Sequence, residues 1–119
     1  MPNIAPQYRF PRSARLLRQA EFGRVFAEGR RLHLAHFTLI AVAGTQGARL
    51  GLAIGKRSAA RAVARNRLKR LAREAFRQAH LPPLDIVVTA RPDAARSDGK
   101  TLHAELATAF ETLKEQCAN

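Results

Sequence analysis

Cationic side chains are concentrated in one segment of the chain and point to the binding of a polyanion. Residues 56–77 contain nine Lys and Arg side chains and one acid, Glu74. Residues 1–55 carry a net charge of +6, and residues 78–119 a net charge of −2. Two thirds of the formal net charge of +12 therefore lies within 22 residues. A folded surface with this much charge of one sign repels itself, and a polyanion is its natural partner.

Side chains that could catalyse a reaction or hold a metal are scattered by comparison. His33 and His36 form the one close pair among the four histidines, and no cysteine or acidic cluster completes a metal site beside them. The aspartates are too widely spaced to indicate a two-metal nuclease. Cys117 has no histidine near it in sequence to activate it as a nucleophile. We therefore expect no catalytic residue, no metal ligand and no small-molecule substrate in this chain.

The composition is typical of one folded domain over residues 1–119. Hydrophobic residues make up 46% of the chain, which is too many for a disordered basic tail. The prolines near the start predict an extended arm over residues 1–9. No apolar run approaches the roughly 20 residues that span a bilayer. The N-terminus lacks a signal-peptide core and there is a single cysteine, so we expect a reducing cytoplasm.

Hydrophobic periodicity and turn residues predict helices packed on a small sheet, in the order α-β-β-α-β-α. Gly29 is predicted to end the first helix, and Ser58 to cap the start of the longest one. The predicted elements are a helix over 19–28, strands over 37–42 and 50–54, a helix over 58–79, a strand over 85–90 and a helix over 100–116. The longest helix thus contains most of the concentrated charge.

This long helix separates an apolar face from a cationic one. At about 100° per residue, one arc holds Ala64, Leu68, Leu71, Ala72, Ala75 and Ala79. Arg65, Lys69 and Arg73 form an i, i+4, i+8 row on one flank of the opposite face. The other flank holds Arg67 and Arg70, and between the two flanks lie Asn66 and Arg77. Like charges at this spacing destabilise a helix by roughly 0.2–0.5 kcal/mol per pair, which a bound anion offsets.

Other interpretations of the helix fit less well. A face that is charged only for solubility normally mixes signs. A membrane-surface helix would carry larger apolar side chains than these alanines and two leucines, so no membrane partner is expected. A helix-turn-helix protein would carry short helices in tandem, whereas strands flank this helix. Nucleic acid is therefore the expected partner, although composition does not separate RNA from DNA.

The segment from Lys56 to Arg77 resembles the bacterial ribonuclease P protein component. The string Arg-Asn-Arg-x-Lys-Arg-x-x-Arg-Glu-x-Phe-Arg, which begins at Arg65, is typical of that family. Further similar stretches are found over 10–17, 21–26, 49–54 and 85–88. The resemblance covers about residues 9–116, which is nearly the whole chain.

The resemblance implies an α/β (α+β) two-layer sandwich. It adds a strand to the elements above, and so predicts a mixed sheet of about four strands in the order α-β-β-(β)-α-β-α, with helices packed on it. It also implies a left-handed βαβ crossover, which runs against the strong general preference for right-handed connections.

The resemblance further implies a subunit of the ribonucleoprotein endoribonuclease ribonuclease P, which removes the 5′ leader from precursor tRNA. The catalytic RNA would perform the hydrolysis with Mg²⁺ that it holds itself, and the protein would improve the affinity for substrate and Mg²⁺. The residues by themselves leave open a non-catalytic module that binds structured RNA, such as a ribosomal or assembly protein.

The resemblance assigns residues to two partners. Contacts to the catalytic RNA are expected from Arg61, Arg65, Asn66, Arg67, Lys69, Arg70, Arg73 and Arg77. Contacts to the single-stranded leader of precursor tRNA are expected from Phe22, Phe26, Lys56, Arg57 and Arg91. The i, i+4 spacing of Phe22 and Phe26 is also typical of core residues. We expect Phe22 to face the ligand and Phe26 to be half-buried.

Overall fold

The computed structural model describes residues 14–16, 18–45 and 47–118, which form a four-stranded sheet and three α-helices. The helices are α1 (Gln19–Glu28), α2 (Ala62–Ala79) and α3 (Gly99–Ala118). The strands are β1 (Arg30–His33), β2 (Phe37–Ala43), β3 (Arg49–Ala53) and β4 (Leu84–Ala90). A short 3₁₀ helix, Pro92–Arg96, precedes α3. The arm predicted for residues 1–9 and the side chain of Cys117 lie outside the described residues.

The sheet is mixed, with the strand order β1-β2-β4-β3. β2 pairs antiparallel with both β1 and β4, and β3 pairs parallel with β4. Because α2 connects the parallel strands β3 and β4, these three elements form a βαβ unit. The predicted element order and the mixed four-stranded sheet are confirmed, and the left-handed sense of the connection stays a prediction.

The edge strand β1 was missed by the periodicity of the sequence. Its residues, Arg-Arg-Leu-His, are exposed except for Leu32, which is partly buried. The strand pairs with β2 over Arg30 to His33. A short charged segment of this kind has no alternation of apolar and polar residues that would predict a strand. It is a strand because its backbone forms hydrogen bonds with β2.

The start of α2 differs from the prediction. The helix begins at Ala62, after Arg61, and not at Ser58. The Ser58 side chain is 7% exposed, and its hydroxyl donates a hydrogen bond of 2.7 Å to the carbonyl of Ala90. Ser58 therefore ties the loop that precedes α2 to the end of β4, and this use of its hydroxyl replaces the predicted helix cap.

Both faces of the sheet are covered, one by α2 and α3 and the other in part by α1. Alternate residues of β2 divide between the two faces: Leu39 packs with Leu68 and Phe110 in the larger cluster, and Ile40 packs with Val25 in the smaller one. Fully burying an aliphatic side chain of this size stabilises the fold by roughly 1.5–3 kcal/mol. These two clusters fix the position of α1 and α2 on the sheet.

The predicted apolar arc of α2 is confirmed. Its members Leu68, Ala72, Ala75 and Ala79 are buried, and Ala64 and Leu71 pack partly buried against the same cluster. Phe76 is buried as well, in an edge-to-face contact with Phe110 at 6.0 Å between ring centroids. The arc holds α2 with its polar face directed away from the sheet.

A buried carboxylate links α1 to the centre of the sheet. Asp85 of β4 is 1% exposed and accepts hydrogen bonds from Arg49 of β3 and, at 2.8 Å, from Arg24 of α1. Arg49 also donates to Glu21 at 2.8 Å. The hydrogen bonds with Asp85 raise the pKa of Arg49 above its ordinary value. This network, which joins residues far apart in sequence, sets the position of α1 beside β3.

Candidate RNA-binding surface

The polar face of α2 carries the cations that the sequence placed there. Arg61, Asn66, Arg70 and Arg73 are exposed. Arg65, Arg67, Lys69 and Arg77 are partly buried. None of these eight residues contributes to either hydrophobic cluster. The structure therefore places all eight residues outside the apolar arc of α2, although their neighbours differ.

Two of these cations, Lys69 and Arg73, line a cleft at the outer edge of β3. The cleft has a volume of about 220 Å³. Its other described lining residues are Arg15, Leu16, Phe22, Leu50 and Leu52. One wall is thus α2, the opposite wall is α1, and β3 lies between them. We call this feature the β3-edge cleft.

The segment before α1 runs along β3 and forms part of the β3-edge cleft. The amide of Leu16 donates a hydrogen bond of 3.0 Å to the carbonyl of Leu50. Arg15 forms a parallel bridge to the same residue. This pairing covers the outer edge of β3 and places the Arg15 side chain in the cleft beside the cations of α2.

Phe22 lies against the backbone of β3. A Cβ atom at Gly51 would come within 2.7 Å of two carbons of the Phe22 ring, so this close approach requires glycine. The ring is partly buried, and it lines the β3-edge cleft. Phe26, one turn further along α1, is 37% exposed and lies outside the lining of the cleft. The structure thus separates the two predicted aromatic residues.

The β3-edge cleft is lined by cations without a described acid. Three cationic side chains, Arg15, Lys69 and Arg73, line it, and its described lining contains no acid. Partial burial and the nearby charge of Arg15 lower the pKa of Arg73 from its ordinary value. Since like charges gathered in a partly desolvated site repel one another, a bound phosphate would stabilise all three.

Lys56, Arg57 and Arg91 lie at one end of the sheet, outside the lining of the β3-edge cleft. They follow the carboxyl ends of β3 and β4, which meet at the same edge because these strands are parallel. All three side chains are exposed. The hydrogen bond from Ser58 to Ala90 holds the two loops together at their bases.

Arg65 and Arg67 have hydrogen-bond partners within the protein, which the helical projection did not predict. Arg65 donates to the carbonyls of Ala59 and Ala60, at 3.0 and 2.8 Å. Arg67 donates to the carbonyl of Ser97 at 2.6 Å. Every residue has a backbone carbonyl, so the pattern of side-chain types does not predict which carbonyls will accept these hydrogen bonds.

His36 also has a role that the sequence did not indicate. Its Nδ1 lies 2.8 Å from Glu105 of α3, and its Nε2 lies 2.9 Å from the hydroxyl of Ser97. This arrangement joins the β1–β2 turn to the start of α3. Within the described part of the chain, no three His, Cys, Asp or Glu side chains gather to hold a metal ion. In the same part of the chain, no helix is long and apolar enough to cross a membrane.

Comparison with known proteins decides the family. The family model for Ribonuclease P matches residues 10–114. The chain belongs to the ribonuclease P protein family. Processing of tRNA is the role of this family. The match includes α1, the whole sheet and α2, and so both walls of the β3-edge cleft.

Individual ribonuclease P proteins are similar to this chain in sequence and in structure. The ribonuclease P protein component of Thioalkalivibrio sulfidiphilus is 47% identical, over 92% of this chain and 94% of the relative. That of Legionella pneumophila strain Lens is 36% identical, over 89% and 94%. Among solved structures, the RNase P protein of Staphylococcus aureus superposes with a TM-score of 0.76 at 26% identity, covering 85% of this chain and 95% of that one. The RNase P protein of Thermotoga maritima gives 0.73 at 28% identity, covering 82% and 96%.

Proposed function

We propose that this chain is the protein subunit of a cytoplasmic ribonuclease P, in which it binds both the catalytic RNA and the 5′ leader of precursor tRNA. The observation that carries the proposal is the placement of α2. Its exposed side chains Arg61, Asn66 and Arg70 are available to one RNA, while Lys69 and Arg73 line the β3-edge cleft. A single helix can therefore hold a structured RNA on its outer side and a single strand beside it.

The composition of the β3-edge cleft suits a single-stranded leader. Phe22 offers a ring on which a base can stack, and such stacking contributes roughly 1–3 kcal/mol per base without regard to sequence. The resemblance assigned Lys69 and Arg73 to the catalytic RNA. Because both line this cleft, they can also neutralise the leader phosphates on either side of that base. An apolar surface with cations beside it thus binds leaders of differing sequence.

The exposed loops extend this surface. Lys56, Arg57 and Arg91 lie beyond the carboxyl ends of β3 and β4 and are proposed to contact further leader phosphates. Phe26, exposed on α1, is proposed as a second contact for the leader. The surface proposed for the catalytic RNA is completed by Arg65, Arg67 and Arg77. Arg65 and Arg67 can contact RNA while bonded within the protein, because a guanidinium has five N–H groups and can donate to more than one acceptor.

The proposed division of labour assigns the chemistry to RNA. The family resemblance assigns Mg²⁺ to the RNA and names no protein ligand for it. We place Mg²⁺ and the hydrolysis of the phosphodiester on the catalytic RNA. The protein acts by binding, because cations that neutralise RNA phosphates reduce the repulsion between substrate and catalytic RNA.

Reconstitution tests this function directly. The purified chain is added to a bacterial ribonuclease P RNA at low Mg²⁺, and 5′ cleavage of precursor tRNA is followed, with the RNA alone as the control. We expect the chain to restore cleavage. Absence of stimulation, under conditions where another family member stimulates, would favour a structured-RNA-binding module without this activity. Cleavage by the chain without RNA would contradict catalysis by the RNA.

A further inference from the structure

Two arginines of α2 fasten loops of the protein to the helix. Arg65 donates from Nη1 to the carbonyls of Ala59 and Ala60, at 3.0 and 2.8 Å. Arg67 donates from Nη2 to the carbonyl of Ser97 at 2.6 Å. Hydrogen bonds from a charged donor are shorter and stronger than neutral ones. Each arginine therefore connects α2 to a different stretch of backbone.

The loops that they fasten both carry exposed cations. The first loop, residues 54–61, joins β3 to α2 and carries Lys56 and Arg57. The second, residues 91–98, joins β4 to α3 and carries Arg91 and Arg96. The second loop also carries Asp93 and Asp98, so its formal charges balance, and the positions of both loops depend on bonds such as those to α2.

The spacing of the two arginines explains how one helix reaches both loops. Residues at i and i+2 of an α-helix are about 200° apart around its axis. Arg65 and Arg67 therefore leave α2 in nearly opposite directions, one towards each loop. Asn66 lies between them and is exposed, so it remains available to a partner.

We propose that Arg65 and Arg67 are positioning residues, which hold the two loops, and with them the exposed cations that the loops carry, in place for the leader of precursor tRNA. This role is additional to any contact that their other N–H groups make with RNA. The part that concerns the leader rests on the proposed function, whereas the fastening of the loops does not.

Hydrogen exchange on the free chain tests the fastening. The amides of Ser58 and Ala59, bonded to the carbonyl of Gly55, report on the first loop. Those of Ala94 and Ser97, bonded to carbonyls within the second loop, report on that one. We expect Arg65→Ala to accelerate exchange about tenfold at the first pair, and Arg67→Ala to do so at the second pair.

The matched control is Arg70→Ala, since Arg70 is exposed and has no hydrogen bond to any described residue. We expect it to leave exchange unchanged at both pairs. Unchanged exchange in the Arg65 and Arg67 variants would overturn the proposal. Equal acceleration throughout β2 and β4 would also overturn it, because that result would show a global loss of stability.

The preference of the reconstituted enzyme for precursor over mature tRNA tests the effect on the leader. We expect Arg67→Ala to lower this preference in the otherwise unchanged chain. In a chain where Arg91 and Arg96 are already alanine, we expect Arg67→Ala to cause no further decrease. Arg70→Ala should combine additively with the same pair of changes. Additive effects for Arg67 would overturn the positioning role towards the leader. If the Arg91, Arg96 variant keeps the full preference, the leader assignment of this loop is wrong, and the exchange rates alone decide whether Arg67 fastens it.

Discussion

Arg49 and Asp85 face each other across the parallel pair β3 and β4 and form a two-point ion pair. Nε of Arg49 lies 3.0 Å from Oδ1 of Asp85, and Nη2 lies 2.9 Å from Oδ2. The two residues are also register partners in the sheet. Since Arg24 and Glu21 of α1 join the same network, this pair determines where one wall of the β3-edge cleft stands.

Loss of the Asp85 charge should destabilise the fold. We expect Asp85→Asn to lower the free energy of unfolding by about 3–5 kcal/mol, because it leaves Arg49 without its buried counter-charge. Urea unfolding measures the change, with Asp93→Asn at an exposed position as the control. A decrease similar to that of the control would mean that the network contributes little net stability.

The cations of the β3-edge cleft should contribute to the salt dependence of RNA binding. We expect replacement of Lys69 and Arg73 by alanine to weaken binding and to reduce the log–log salt slope by about one for each phosphate that is no longer neutralised. Titrations of the holoenzyme with precursor tRNA at several salt concentrations measure the slope. Lys100→Ala, an exposed cation of α3, serves as the control. An unchanged slope would place the phosphate-binding side chains elsewhere.

Phe22 should matter more for precursor than for mature tRNA. Removal of a stacking ring costs roughly 1–3 kcal/mol per base, so we expect Phe22→Ala to weaken precursor tRNA binding by about tenfold or more. Gly51→Ala should act in the same direction, since its Cβ would displace the ring from β3. Equal weakening for precursor and mature tRNA would show that Phe22 acts only through packing. Unfolding of each variant is measured in parallel to separate the two effects.

His80 offers a way to stabilise the fold without changing a residue proposed to contact RNA. It ends α2 in the left-handed region, with φ of 50° and ψ of 61°, where glycine is favoured. We expect His80→Gly to raise the free energy of unfolding by about 0.5–1 kcal/mol. Arg70→Gly, within the helix, should instead lower it by about 1 kcal/mol. A decrease in stability for His80→Gly would show that its side chain makes an important contact.

The start of α3 should respond to acid through Asp98. Hydrogen bonds from the backbone and then the side chain of Thr101 lower the pKa of Asp98 from its ordinary value. A carboxyl with a lowered pKa in the folded state stabilises that state above its ordinary pKa, and this contribution disappears as the pH falls through the folded pKa. We expect the Tm of Asp98→Ala to lie below that of the unchanged chain at neutral pH and to approach it in acid. A difference that stays constant with pH would contradict this.

The sequence predicted those features that depend on one element at a time. The helix over 19–28 and the two faces of α2 follow from local periodicity, and the family resemblance supplied the fourth strand. Features that depend on distant partners were missed. The ion pair of Arg49 with Asp85, the bond from Ser58 to Ala90 and the bonds of Arg67 to the second loop each connect separate elements. The pattern of side chains along the sequence does not indicate which distant residues will become partners.

The position of β4 in the sheet has a consequence for the order in which the molecule assembles. β4 lies between β2 and β3, yet it is the last strand in sequence. While the ribosome is still making residues 84–90, β2 and β3 have no strand between them, and the apolar arc of α2 has only part of its core to pack on. The cationic helix is therefore complete before the sheet that supports it, and the nascent chain can hold α2 in its final place only after β4 has been made.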